Sequence, residues 1–338
     1  MDMLDFCKKL PKVELHAHLN GSLSISTIQK LHNMKGSNLS FDEAFMGVID
    51  FTSLSGCFKV FDIVHALTIT PQAVLLATCD TIKEFYEDNV IYLELRSTPR
   101  AVQGSMTKTE YLEAIMKAFN ISKSQYPEIV VKLLVSINRK EGFESAKENI
   151  NLAKQFMEKY PQYVVGIDLS GDPTAGDIEN FLQLLEMSRE MGLKIAVHCA
   201  EVPNNIETIH ILKFKPDRLG HCTCIHPDLG GSSILFKMLL DFKIPVELCL
   251  TSNVKCKTVK SYIDHQFKYL YEAGHPISIG TDDKGVFNTC LSQELKLLST
   301  AFNIGKEELK KLTALSVEYS FATTEEKKSL SSIIENFE

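Results

Sequence analysis

No stretch of this chain is apolar for the roughly 20 residues that a membrane-spanning helix needs. The opening residues, MDMLDFCKKLPK, lack the apolar centre of a secretory signal. A basic excess is also missing. Lys and Arg number 36 against 43 Asp and Glu, a net charge of -7, so the broad electrostatic footprint of a nucleic-acid binder is excluded. Tryptophan is absent, which decides nothing about function. No Pro/Gly/Ser-rich linker and no fixed-period repeat divides the 338 residues. Propellers and helical arrays therefore drop out, and a single domain, 1–338, is expected. The nine cysteines are an odd number without repeating spacing, which points to reduced thiols and a cytoplasmic location rather than a disulfide framework. A monomer without nucleic-acid or membrane partners is the default expectation.

What the chain does have is 44% hydrophobic and 23% charged residues, the balance of a globular protein with a large core. Short apolar, β-branched runs recur: Val13–Leu19, Val90–Ser97, Val130–Ile137, Val164–Leu169, Lys194–Cys199, Arg218–Cys222, Pro245–Leu250 and Ile277–Thr281. Most are apolar almost throughout, as parallel strands covered on both faces are. Helical spacing of apolar residues lies between most of them, over Lys108–Tyr126, Glu144–Lys159, Asp177–Met191, Ser233–Phe242 and Leu291–Phe302. Eight strands alternating with helices predict an α/β fold, a (β/α)₈ TIM barrel, with a doubly wound sheet as the alternative. Residues 21–89 are too many for one crossover and read as a helical insertion forming a lid over the pocket. Within it, Phe51, Leu54, Phe58, Val60 and Phe61 have the spacing of core residues, one face of which could wall the pocket. Gly305–Ala322 reads as a terminal helix, followed by a polar tail.

Active sites of such barrels sit at the C-terminal ends of the strands. Those ends carry His16-Ala17-His18, His198 followed by Glu201, Gly220-His221, and Thr281-Asp282-Asp283. Residues two apart on a strand face the same side, so His16 and His18 can reach one ion. His198 and Asp282 would complete a His₃Asp set, which zinc accepts while leaving a position for water. Any one of these histidines alone would read as a core residue; agreement across strand ends argues for a site. Cys222 and Cys224 read as buried packing residues.

The segments LPKVELHAHLNGS, LELRSTPR, DLSGDP, HCAE, GHCT, LCLTSNV and TDDKGVF occur in this order. As a set they resemble the adenosine deaminase family across nearly the whole chain, and most nearly the branch acting on N(6)-methyl-AMP. The resemblance implies one zinc ion per chain, held by His16, His18, His198 and Asp282. It implies that Glu201 protonates the purine ring, that His221 orients and helps deprotonate a water activated by the metal, and that Asp282 assists there. Asp283 and the backbone of Gly171 would bind the ring, with His18 also against the substrate. Barrel hydrolases with two metals carry a bridging lysine at the end of the fourth strand. Here that strand reads Gly-Ile-Asp-Leu-Ser-Gly, which argues for one metal.

Nucleoside deaminases of this family place an acidic residue after the HxHL motif, where this chain has Asn20. Removing that charge permits a 5′-phosphate. Arg100, His65, Thr68 and Asn138 are the candidate phosphate contacts, with Arg139 also considered and Arg96 read as an internal structural arginine. Lys284, where proline is usual, marks the branch or adds a cation at the rim. The expected reaction is hydrolytic deamination of a 6-amino or 6-alkylamino purine nucleotide. The alternatives are deamination of adenosine itself and another barrel metallohydrolase activity.

Overall fold

The computed structural model describes residues 2–36, 41 and 54–338, with Leu54–Phe58 in backbone alone. Eight strands, β1 (Lys12–His18), β2 (Val90–Ser97), β3 (Val130–Asn138), β4 (Val164–Ser170), β5 (Lys194–Cys199), β6 (Arg218–His221), β7 (Val246–Leu248) and β8 (Ile277–Ile279), form one parallel sheet in chain order. Its edges meet. The His18 amide donates to the Asp282 carbonyl and the Asp282 amide to the His16 carbonyl, both at 2.8 Å. The sheet is thus a (β/α)₈ barrel, not an open doubly wound sheet.

Strand alternation divides the barrel into an apolar jacket and a charged axis. On β1, Val13 and Leu15 pack with Val317, Leu330 and Ile334 outside the sheet, whereas Glu14 and His16 engage Thr281 and Glu247 across the interior. There Arg96 pairs with Asp168 and Glu247, and Arg218 with Glu94 and Glu247, every side chain fully buried. Buried ions persist only when paired in this way.

Most helices fall where the apolar spacing puts them. Thr107 closes a capping box on helix Lys108–Gln125. Three differences stand out. The seventh strand stops at Leu248, because the apolar residues that follow begin helix Leu250–Lys255. Helix Asn205–Phe214, started by an Asn204 cap, fills the β5–β6 crossover. The polar tail is not irregular: a Thr323 capping box starts helix Thr324–Glu335, which buries Leu330 and Ile334.

Between β1 and β2 lie helices Ile25–Lys35, Leu54–Leu67 and Pro71–Glu87. Val60 and Phe61 join Leu23, Ile28, Leu31, Val286 and Phe287 in a separate apolar cluster, which ties this segment to the loop after β8. Phe51 lies outside the described residues, as do the side chains of Leu54 and Phe58. Among the described residues no helix is long and apolar enough to cross a membrane, and the eight described cysteines are free. Cys222 and Cys224 are buried, as packing residues would be.

Candidate metal centre and active site

β1 turns two imidazoles into the barrel mouth, the rings of His16 and His18 being 5.3 Å apart. His198, from β5, lies 4.7 Å from the first ring and 5.2 Å from the second. Asp282 follows β8 with φ 60°, a left-handed conformation, and its pairing with β1 sets its carboxylate beside the histidines. One ligand atom from each of these four residues lies within 4.8 Å of the others. His16 Nε2 is 3.3 Å and His18 Nε2 3.4 Å from Asp282 Oδ1, and the Nε2 atoms of His18 and His198 are 3.2 Å apart. Such separations are about those of donors 2.0–2.1 Å from a shared four-coordinate cation.

His16 tests the fit. Its Nδ1 is 2.7 Å from Glu247 Oε2, while its buried Nε2 has no hydrogen-bond partner. A neutral imidazole donates from one nitrogen and offers a lone pair on the other, so the unmatched lone pair faces the cluster. His198 repeats the pattern, its Nδ1 standing 3.1 Å from the Leu169 carbonyl and 3.1 Å from Asp168 Oδ1. Carboxylates behind imidazoles are the usual support of metal ligands. The donor set fits a cation of zinc's kind.

Arg96 joins the two supports, as an internal structural arginine would. It meets Asp168 at 2.9 Å, contacts Glu247 and donates to the Leu15 carbonyl at 2.8 Å. Burial pushes the Asp168 carboxyl up, but His198 and Arg96 outweigh it and hold it well below the usual range. Glu247 is held low against burial by Arg96 and Arg218. Both supports therefore stay anionic.

Glu201, His221 and Asp283 share the mouth. His221 Nε2 is 3.9 Å from Glu201 Oε2 and 3.8 Å from Asp282 Oδ2. Burial raises the Glu201 carboxyl, with His198 opposing and Asp282 reinforcing. Burial and then Asp282 and Glu201 push Asp283 well up, and its Oδ1 has no partner. Gly21 makes room for it: a Cβ there would stand 1.6 Å from Asp283 Oδ1.

The expected phosphate contacts are gathered differently. Asn20 accepts from the Tyr111 hydroxyl at 3.4 Å. Arg100 donates to the His65 carbonyl at 3.0 Å, the Thr68 carbonyl at 2.7 Å and the Thr68 hydroxyl at 2.9 Å. It thereby caps helix Leu54–Leu67, leaving the His65 side chain exposed. Asn138 accepts from the Lys140 amide at 3.1 Å beside Gly171, whose φ is 95° and where a Cβ would lie 2.4 Å from Asn138 Oδ1. Two cations are corrected. Arg139 pairs with Glu207 at 2.6 Å and is not free for phosphate. Lys284 is buried against Glu84 and lies 5.2 Å from the centre of the Phe85 ring, so it straps the β8 loop to the insertion instead of forming a free rim cation.

Sequence reasoning missed Asp168, Glu247, Ser252 and Asn253. The first two are carboxylates inside apolar strand runs, which is itself a signal. The others lie in LCLTSNV, to which the sequence alone assigns no role. Ser252 donates to Asp282 Oδ2 at 2.7 Å.

A barrel whose mouth gathers three imidazoles and a carboxylate around one point has the donor set of a metal-dependent barrel hydrolase. The adenosine deaminase family model matches residues 11–337, and the chain belongs to that metal-dependent family. The N6-methyl-AMP deaminase of Bos taurus is 45% identical over 330 residues, covering 96% of this chain and 93% of that protein. The crystal structure of Arabidopsis N6-mAMP deaminase MAPDA superimposes with a TM-score of 0.90 at 38% identity, covering 98% of this chain and 100% of that one. Arabidopsis ADAL complexed with IMP gives 0.89 at 37% identity, covering 98% of each chain.

Proposed function

We propose that this chain converts N6-methyl-AMP and water to inosine monophosphate and methylamine, with one zinc ion per chain. At carbon 6 a C–O bond forms and the C–N bond breaks, the leaving nitrogen taking up a proton. The observation that carries this reading is the convergence of His16, His18, His198 and Asp282 within 4.8 Å, beside a Glu201 carboxyl that burial favours in its protonated form. The relatives that share 45% of their residues with this chain bear the name of that activity, and neighbours at 37–38% identity hold IMP and GMP.

When bound, the cation supplies activation of water at neutral pH. The remaining work falls to side chains. Glu201 carries the proton that the purine ring needs at nitrogen 1 before carbon 6 becomes electrophilic, which is general acid catalysis. Asp283, whose carboxyl burial and then the Asp282 carboxylate push well up, and the Gly171 backbone engage the ring. His221 and Asp282 hold the incoming oxygen, and His18 lies against the same substrate. Asn20 puts no carboxylate at the ribose end, and Arg100, Thr68, His65 and Asn138 are assigned to that end. Residues 21–89 act as a lid within one domain, anchored by the Arg100 and Lys284 contacts. A monomer in the cytoplasm, acting on a free nucleotide and not on nucleic acid, completes the reading.

The test offers purified protein N6-methyl-AMP, AMP and adenosine side by side, with products read by mass and bound metal by elemental analysis. Turnover of N6-methyl-AMP by protein holding one zinc supports the proposal. Turnover of adenosine alone overturns the nucleotide assignment, and full activity after chelation overturns the metal assignment.

A further inference from the structure

Behind His221, the LCLTSNV motif takes part in a buried chain of polar groups that admits one arrangement of protons. His221, Asn253, His265 and Gln266 are all at most 3% exposed. At one end the Phe267 amide donates to His265 Nδ1 at 3.1 Å. A peptide N–H can only donate, so the proton of the neutral His265 ring sits on Nε2. That Nε2 is 2.9 Å from one terminal atom of the Asn253 amide, which must then be its oxygen, Oδ1. Gln266 reaches the same assignment independently. Its amide nitrogen lies 2.9 Å from the His221 carbonyl, which only accepts, and 2.9 Å from Asn253 Oδ1. Gln266 keeps this orientation although its own Oε1 finds no partner. With Oδ1 committed, the Asn253 amide nitrogen faces His221 Nδ1 at 3.2 Å and donates to it. Nδ1 of His221 is therefore bare. Its proton lies on Nε2, the nitrogen that faces Glu201 and Asp282.

We propose that Asn253, oriented by His265 and Gln266, is a positioning residue that fixes His221 as the Nε2–H tautomer, so that His221 presents a hydrogen-bond donor to the reaction centre and not a base. The inference rests on the reading of His221 as part of a deamination site. It also revises the role that the family resemblance implies, since a ring already protonated at Nε2 cannot take a proton there. It can hold an incoming oxygen and steady the charge that develops on it.

Asn253→Asp separates the possibilities. A carboxylate at 253 accepts from His265 and Gln266 but cannot donate to His221, so the His221 proton moves to Nδ1 and Nε2 is left bare. Long-range proton–nitrogen correlation spectra of the full chain carrying ¹⁵N-histidine read this directly, with the His221 signals identified by their loss in His221→Asn. The expected result is an Nε2–H ring in the unsubstituted protein and an Nδ1–H ring in Asn253→Asp. On N6-methyl-AMP, kcat of that variant should fall by about 10²-fold, with KM within about threefold. A merely structural Asn253 would lower the melting temperature without inverting the tautomer. The proposal is overturned by an Nδ1–H ring in the unsubstituted protein, or by an Nε2–H ring that persists in Asn253→Asp. Should the variant fail to fold, the unsubstituted spectrum decides alone. The spectrum needs no substrate, so absence of deamination would remove the functional reading while leaving the tautomer assignment standing.

Discussion

Three imidazoles of the barrel mouth each rest on a buried group one layer deeper: His16 on Glu247, His198 on Asp168 and His221 on Asn253. The residues assigned to ribose and phosphate are not backed by the charged axis. Asn20 meets one hydroxyl at 3.4 Å, and Arg100 is held by backbone of the insertion helix Leu54–Leu67. The first group stands on strands or just past their ends and is fixed by the charged axis of the barrel. In the second, Asn138 ends a strand, whereas Asn20 and Arg100 stand on loops and His65 and Thr68 on the inserted segment. Reaction and recognition are thus built on parts of different rigidity, and recognition can change without disturbing the centre.

The sharpest break in that comparison is Glu201→Gln. Deamination should slow by about 10²–10⁴-fold, with inosine monophosphate binding retained, as read by steady-state rates and calorimetry. The unsubstituted protein adds a pH signature. Burial raises the Glu201 carboxyl, and the protonated form is the working one. Activity resting on it is present at low pH and lost as pH rises through the raised value, and this alkaline limb should vanish in Glu201→Gln.

Arg96→Met comes next and tests whether the charged axis supports both imidazoles. Removing one partner of a buried ion network costs about 3–5 kcal/mol of stability, read by denaturant unfolding. Zinc affinity should drop about 10–100-fold as Asp168 and Glu247 lose their shared cation, read by competition with a chelator. Unchanged affinity would separate the axis from the metal site.

Asn20→Asp has the smallest expected effect and addresses the recognition side. A carboxylate near the phosphate should lower kcat/KM for N6-methyl-AMP about tenfold while leaving adenosine-type nucleosides within about twofold. Equal losses on both would detach Asn20 from the phosphate.

The strands and the four clustered positions, His16, His18, His198 and Asp282, were legible because each depends on local pattern: an apolar run, an alternation, a polar residue where the run ends. The supports were not, because Arg96, Asp168 and Glu247 become neighbours only when β2, β4 and β7 close around one axis. The same reason hid the partners of two cations. Nothing near Arg139 announces Glu207, and nothing near Lys284 announces Glu84. Helix Thr324–Glu335 escaped notice because two buried residues one turn apart, Leu330 and Ile334, make too short a stripe to read.

A single guanidinium, that of Arg96, neutralises anions behind two different imidazoles. Changes at Arg96, Asp168 and Glu247 are therefore strongly epistatic: each alone strands a buried ion, whereas matched replacements need not. A stepwise exchange of this trio therefore passes through a stranded buried charge, whereas a concerted exchange of all three avoids it.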